Sequence, residues 1–355
     1  MQADFALLTA SLLPGVGPRA IGDLCARGAL ADVLATPGEH KDLLPAQAIA
    51  GLRSGEAVRR AAAEAETARR LGITLLGWGA PSYPTLLRLT FDPPPILYVR
   101  GDLPPAEAAE PGIAVVGARA ASSLGRALAR AMARDLAAAG ATVVSGLARG
   151  IDTAAHQGAL EGQGRTIAVL GSALDRVYPS ENAELAAAVA ESGAVVSEFP
   201  FGTEPYPGNF PRRNRVIAGW SRAVVVVEAA TRSGALITAR YALEEGREVM
   251  AVPGHPSQPG SSGTNQLLRD GAALVRDASD IAAELGFEMR PAANAPAGGL
   301  IDALRPDVPT SIEQLQALSG RALPELLAEL SRLELQARVR RLPGPLYLRI
   351  SPERV

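Results

Sequence analysis

Between residues 76 and 288 the chain alternates short, β-branched-rich apolar runs with stretches of helical pattern. The runs are Ile96–Val99, Ile113–Val116, Ala141–Val144, Thr166–Leu170, Ala194–Ser197, Ala223–Val227 and Glu248–Val252. Strands separated by helices predict a parallel arrangement with right-handed crossovers, that is, an α/β fold with a Rossmann-like, doubly wound, mainly parallel sheet. Runs without internal polar alternation predict burial on both faces of that sheet. In such sheets ligands bind in the crevice outside the carboxyl ends of the strands, so the residues that follow each run are the ones to read for function.

Those residues are glycines, hydroxyls and arginines. Ala141–Val144 runs into Ser145, Gly146, Arg149 and Gly150, with a helix pattern from Asp152. Ile113–Val116 ends in Gly117, Arg119 and Ser122 before a helix through Ala139. Thr166–Leu170 ends in Gly171-Ser172, and Ala223–Val227 ends at Glu228, followed by Thr231-Arg232-Ser233-Gly234 and a helix carrying Thr238 and Arg240. Between them lies Phe210-Pro211-Arg212-Arg213-Asn214-Arg215. Glycines let backbone amides approach an anion, helix N-termini present partial positive charge, and arginine adds a full charge. One such loop is also ordinary connection chemistry, but its recurrence fits several phosphates in a row better than one small ligand.

The 355-residue length suits two or three domains. A net charge of −2 gives no global basic field, so any nucleic-acid contact has to come from a local stripe. The single cysteine, Cys25, excludes an intramolecular disulfide and fits a reducing compartment. With no basic segment before an apolar core at the N-terminus and no apolar run of about 20 residues, the expectation is a cytoplasmic protein without membrane insertion. The lone lysine, Lys41, follows no strand, which excludes a Walker A loop. His40, His156 and His255 lack metal-ligand spacing, and Gly117-Ala118-Arg119 lacks the second glycine of a dinucleotide fingerprint. Asp152, Glu198 and Glu228 stand at strand ends, where such acids cap helices or pair with arginines more often than they catalyse. Hence no catalytic residue, metal or cofactor is assigned.

The flanks differ from the centre. Residues 1–75 read as helical, with Leu8 to Ile21 similar to a helix-hairpin-helix turning at Gly15-Val16-Gly17, or an ordinary tight helix turn. Residues 289–304 read as a Pro/Gly linker. Residues 305–355 read as a winged helix, with helices from Ser311 and Pro324 and a two-stranded wing over Val339–Ile350. Its arginines (Arg332, Arg338, Arg340, Arg341, Arg349) fit DNA contact or, with Glu325, Glu329 and Glu334 nearby, protein docking.

Taken together, Tyr83-Pro84, Asp92 to Tyr98, Val116-Gly117-Ala118-Arg119, Ser145 to Leu160, Tyr178-Pro179, Phe210 to Arg215, Glu228, Ser233 to Arg240 and Val252-Pro253-Gly254 resemble the DNA-processing protein A family (DprA/Smf). The resemblance runs in one order from about Pro81 to Ala273; Ala118 departs from it, standing where the family usually has serine. It implies a sequence-nonspecific single-stranded DNA-binding protein without enzymatic activity. Such a protein shields incoming DNA in natural transformation and helps load the RecA recombinase as a homodimer, with single-strand-binding protein a further candidate partner. Carried onto this chain, Gly117, Arg119, Ser122, Gly146, Arg149, Gly150, Arg212, Arg213, Asn214, Arg215 and Arg240 would hold the nucleic acid. Phe201, Tyr206 and Phe210 could stack a base or simply pack beneath the arginine loop. The alternatives are a Rossmann-like nucleotide phosphoribohydrolase using Arg149 and Glu228, and a duplex-binding regulator using residues 305–355.

Overall fold

The computed structural model describes residues 2–105, 112–287, 300–304, 308–319, 323–336 and 338–350. By contact the chain divides into Met1–Arg290 and Pro291–Val355. The first unit opens with helices α1 (Gln2–Ser11), α2 (Pro18–Ala26), α3 (Leu30–Ala35), α4 (Ala46–Arg53) and α5 (Glu56–Arg70). Proline starts α2 because its missing N–H is unsatisfied there anyway, and Gly15 makes the preceding turn at φ +75°. Helix α5 carries Glu56 in its first turn and Arg69 and Arg70 in its last, matching the helix dipole.

The sheet follows. Its elements in chain order are β1 (Thr74–Gly77), α6 (Thr85–Arg88), β2 (Ile96–Gly101), β3 (Gly112–Val116), α7 (Ser123–Ala138), β4 (Thr142–Ser145), α8 (Ile151–Glu161), β5 (Thr166–Val169), α9 (Ala183–Ser192), β6 (Ala194–Ser197), α10 (Asn209–Trp220), β7 (Ala223–Val226), α11 (Gly234–Glu244), β8 (Glu248–Ala251), α12 (Ser262–Arg269), β9 (Ala273–Leu274) and α13 (Ala278–Leu285). Among the described residues the strand order is β1-β2-β6-β5-β4-β3-β7-β8-β9. Strands β3 to β9 are parallel to their neighbours within that set, the mainly parallel sheet expected.

Strand β2 departs from the expectation: it runs antiparallel to both β1 and β6. A parallel pair needs a helical crossover. The segment before β2 is broken by Pro81, Pro84 and Pro93 to Pro95 and holds only the single turn of α6, so the chain returns beside β1 antiparallel. Strand β1 is also new, and the boundary expected at residue 75 falls inside it.

Along each central strand alternate residues go to opposite cores. Ala114, Val116, Val144, Val224 and Val226 face one side; Ile113, Val115, Val143, Ala223 and Val225 face the other. At the β2–β6 end that second side is covered by the N-terminal helices, since Ile96, Tyr98 and Val195 share a core with Leu8, Ile21 and Ala61. Helices α7 and α8 pack closely through Gly158, where a Cβ would stand 2.0 Å from the Arg130 carbonyl oxygen. Only glycine permits that approach, and it sets the N-termini of the two helices side by side above the sheet.

The second unit contains α14 (Leu300–Ala303), β10 (Thr310–Ser311), α15 (Ile312–Ser319), α16 (Leu323–Leu335), β11 (Val339–Leu342) and β12 (Leu346–Arg349), with sheet order β10-β12-β11. Leu300, Ile301 and Leu304, expected within a linker, lie instead in its core with Leu315, Leu326, Leu330, Leu333, Val339 and Tyr347. Their spacing puts them on one helical face, which a Pro/Gly count misses. Residues 289–299 of the expected linker lie outside the described residues.

Candidate nucleic-acid interface

The loops after β3 and β4 are stitched together by glycine. A Cβ on Gly117 would meet the Ile151 side chain at 2.5 Å, and one on Gly150 would meet the Ala118 carbonyl oxygen at 2.3 Å. Gly150 also sits at φ +79°. The Ile151 amide donates to the Ala118 oxygen at 3.2 Å, and the Ala118 amide to the Glu228 oxygen at 2.7 Å. These two glycines therefore permit close backbone approach under the site.

Gly146 serves a different neighbour. A Cβ there would stand 2.6 Å from the Arg213 guanidinium, which reaches up from α10. Arg213 is 4% exposed and donates from Nη1 to the carbonyls of Gly146, at 2.5 Å, and of Val169. The Asp152 carboxylate accepts from the amides of Gly146 at 3.1 Å and Ala148 at 3.4 Å. Burial pushes the Asp152 carboxyl up from its ordinary range while Arg213 and the two amides draw it back. Burial also lowers Arg213 to about 10, with Asp152 opposing, so the guanidinium stays charged at neutral pH.

Above this buried layer is a cleft lined by Arg119, Gly146, Ala148, Arg149, Tyr178, Pro179, Phe210 and Arg213. Arg119 is exposed, and its guanidinium lies 4.7 Å from the centroid of Phe210. Tyr178 also neighbours Phe210, with ring centroids 5.8 Å apart. Arg149 is held by Glu181, with Nε donating to Oε1 at 2.6 Å and Nη2 to Oε2 at 2.8 Å. That pairing raises the arginine and lowers the glutamate from their ordinary values.

The cleft thus brings together Arg119, Gly146, Arg149 and Arg213 of the residues expected to bind. Gly117 and Gly150 lie beneath it, and the rest are placed elsewhere. Ser122 caps α7 by accepting from the Gly125 amide at 2.9 Å, while its own amide and hydroxyl donate to Glu228. A carboxylate therefore already occupies that helix N-terminus. Arg212 and Arg215 converge on Glu198, itself 3% exposed, at 3.1 and 2.5 Å. Asn214 donates to the Gly234 carbonyl at 3.2 Å, tying α10 to α11. Arg240 projects from α11 beside Glu244 at 3.4 Å. Among the possible stacking rings, Phe201 packs edge-on against Tyr98 at 5.2 Å and Tyr206 is 66% exposed. Ala148, Tyr178 and Pro179 are cleft residues to which sequence reasoning gave no binding role, and it also missed Glu181, which stands three residues beyond Tyr178 and which only the fold sets across from Arg149.

Residues 74–286 match the family model for DNA recombination-mediator protein A, and residues 288–345 match the DprA winged helix domain. The chain is 41% identical over 283 residues to Protein Smf of Escherichia coli (strain K12), covering 76% of this chain and 75% of that protein. It is 43% identical over 205 residues to DNA processing protein DprA of Streptococcus pneumoniae, covering 58% of this chain and 72% of that one. The X-ray structure of DNA processing protein A from Streptococcus pneumoniae aligns with a TM-score of 0.69 at 34% identity, over 82% of this chain and 99% of that chain. DNA processing protein A from Helicobacter pylori, whose structure was solved to explain its single-stranded DNA binding mode, aligns with a TM-score of 0.54 at 29% identity, over 60% of this chain and 95% of that chain. With its sheet domain and its winged helix both matched, the chain belongs to the DNA recombination-mediator protein A family, the DprA and Smf proteins.

Proposed function

We propose that this chain binds single-stranded DNA without sequence preference, protects incoming DNA during natural transformation and helps load the RecA recombinase. In this reading it acts in the cytoplasm as a homodimer, with single-strand-binding protein as a further contact. The observation that carries the proposal is the cleft at the carboxyl ends of β3 to β5, where Arg119 and Arg149 stand at the surface over the buried Arg213. Family membership and the single-stranded DNA binding described for the Helicobacter pylori relative support it. Guanidinium groups grip phosphates whatever the base, and the Tyr178 and Phe210 rings offer a sequence-tolerant surface beside them.

No enzymatic role is proposed. The phosphoribohydrolase alternative gains no support from Glu228, whose carboxylate is bonded to the Ser122 amide and hydroxyl. The test is binding of labelled single-stranded and double-stranded oligonucleotides of one sequence across a salt titration. Tight, salt-dependent preference for the single strand is expected. Equal or greater affinity for the duplex would move the site to the winged helix, and no binding would sink the proposal.

A further inference from the structure

The Arg149–Glu181 pair has the two-pronged form in which guanidinium groups hold phosphate oxygens: both donors on one edge meet both oxygens of one anion. We infer that Glu181 is a tethered competitor for the phosphate position on Arg149, making the cleft accept a strand and refuse an isolated phosphate. The inference rests on the single-stranded DNA reading above and adds a specificity-determining residue to that site.

Three features support the role. First, the carboxylate is presented by a fixed backbone. The next residue, Asn182, is 7% exposed and donates from Nδ2 to the Leu147 carbonyl at 2.8 Å and to Thr153 Oγ1 at 2.9 Å. Those partners belong to the loop and helix that carry Arg149, so Glu181 and Arg149 share one support. Second, the pair is displaceable. The two side chains are 57% and 53% exposed, where water and salt compete with such contacts. Two other carboxylates beside expected arginines are not, since the Glu198 side chain is buried between Arg212 and Arg215 and Asp152 is buried near Arg213, while the exposed Glu244 beside Arg240 lies on α11, outside the cleft. Third, the neighbouring cation is open: Arg119 is exposed and rests on the Phe210 ring, and the acid that acts on it, Asp152, lies buried below the cleft.

A tethered group competes at a high effective concentration, so a single free phosphate loses to Glu181. A strand does not, because Arg119 and the aromatic pair hold adjacent nucleotides and make the exchange on Arg149 intramolecular as well. The same arrangement has an opposite alternative: Glu181 keeps its bond and merely orients Arg149 toward DNA. The two differ in sign when the carboxylate is removed.

The experiment uses the full chain, wild type and Glu181→Gln, with fluorescence anisotropy on an oligothymidylate of about twenty nucleotides and thymidine 5′-monophosphate as competitor. Glutamine keeps the shape, and the site is exposed, so folding is preserved. The variant is expected to bind the oligonucleotide about two- to fivefold more tightly at low salt. Its salt dependence should steepen by roughly 0.7 in log–log slope, one phosphate's worth for a single strand. Millimolar monophosphate should inhibit the variant and spare the wild type. In an Arg149→Ala background the gain from Glu181→Gln should vanish; a gain of equal size there would mean a general charge effect and overturn the inference. Weaker or unchanged binding by Glu181→Gln, with wild type binding normally, also overturns it and leaves the DNA-binding reading intact. Failure of the wild type to bind the oligonucleotide would remove both.

Discussion

Arg213 lies directly beneath Gly146, close enough that a methyl group on the glycine would overlap its guanidinium. The strand-end glycine that reads in sequence as a phosphate cradle is therefore also the roof over a buried cation. Gly146→Ala is expected to push the guanidinium off the Gly146 and Val169 carbonyls and to lower stability by about 1–3 kcal/mol. Urea unfolding followed by tryptophan fluorescence measures this cleanly, because Trp78 and Trp220 are the only tryptophans and both lie in the first unit. A fully stable variant would mean that the guanidinium can move aside freely.

Arg119 offers the contrasting case. It is exposed and rests on Phe210. Arg119→Ala should leave the unfolding midpoint unchanged while weakening single-stranded DNA binding about three- to tenfold and reducing the salt slope by roughly 0.7. Arg240→Ala, beside Glu244 on α11, should change the affinity much less. Equal losses from the two substitutions would place the strand across a wider face than the cleft.

The contrast explains what could be read from sequence. The alternation of apolar runs and helices foretells the parallel sheet, because burial on both faces leaves a strong pattern at Ile113–Val116 and Ala223–Val226. Gly and Arg at strand ends point to the carboxyl edge of that sheet, where Arg119, Gly146, Arg149 and Arg213 line one cleft. Their individual roles are not legible, since each depends on a partner far away in sequence. Arg213 meets the Gly146 and Val169 carbonyls, Arg215 meets Glu198 and Asp92, and Ser122 meets Glu228 across 106 positions. Strand direction at β2 was hidden for a similar reason: a four-residue apolar run carries no sign of which way its neighbour points.

Glu198 is expected to be structural. It is the shared counter-ion of Arg212 and Arg215, and Arg215 is only 12% exposed. Removing it leaves a largely covered guanidinium with the Asp92 carbonyl and carboxylate as its remaining partners. Glu198→Ala should destabilise the first unit by about 2–4 kcal/mol in the same urea measurement. A neutral result would show that Asp92 alone satisfies Arg215.

His156 makes stability depend on pH in a defined direction. It is fully buried on α8, one turn beyond Asp152, and its Nδ1 lies 2.8 Å from Thr166 Oγ1. That hydroxyl donates to the Val143 carbonyl, so the ring nitrogen must donate to it and Nε2 is left as a bare, buried acceptor. Burial lowers the imidazole to about 3, and the Arg213 charge pushes the same way. The unfolded chain, with a histidine near 6.5, binds the extra proton more readily. Stability is therefore fully present above about pH 6.5 and is lost as the pH falls from there toward about 3, by roughly 2 kcal/mol between pH 7 and pH 5. Urea midpoints at those two values should differ for the wild type, and the difference should shrink in His156→Leu, which is less stable at neutral pH but has no proton to take up. An equal loss in both proteins would assign the pH dependence to other groups and leave His156 as packing alone.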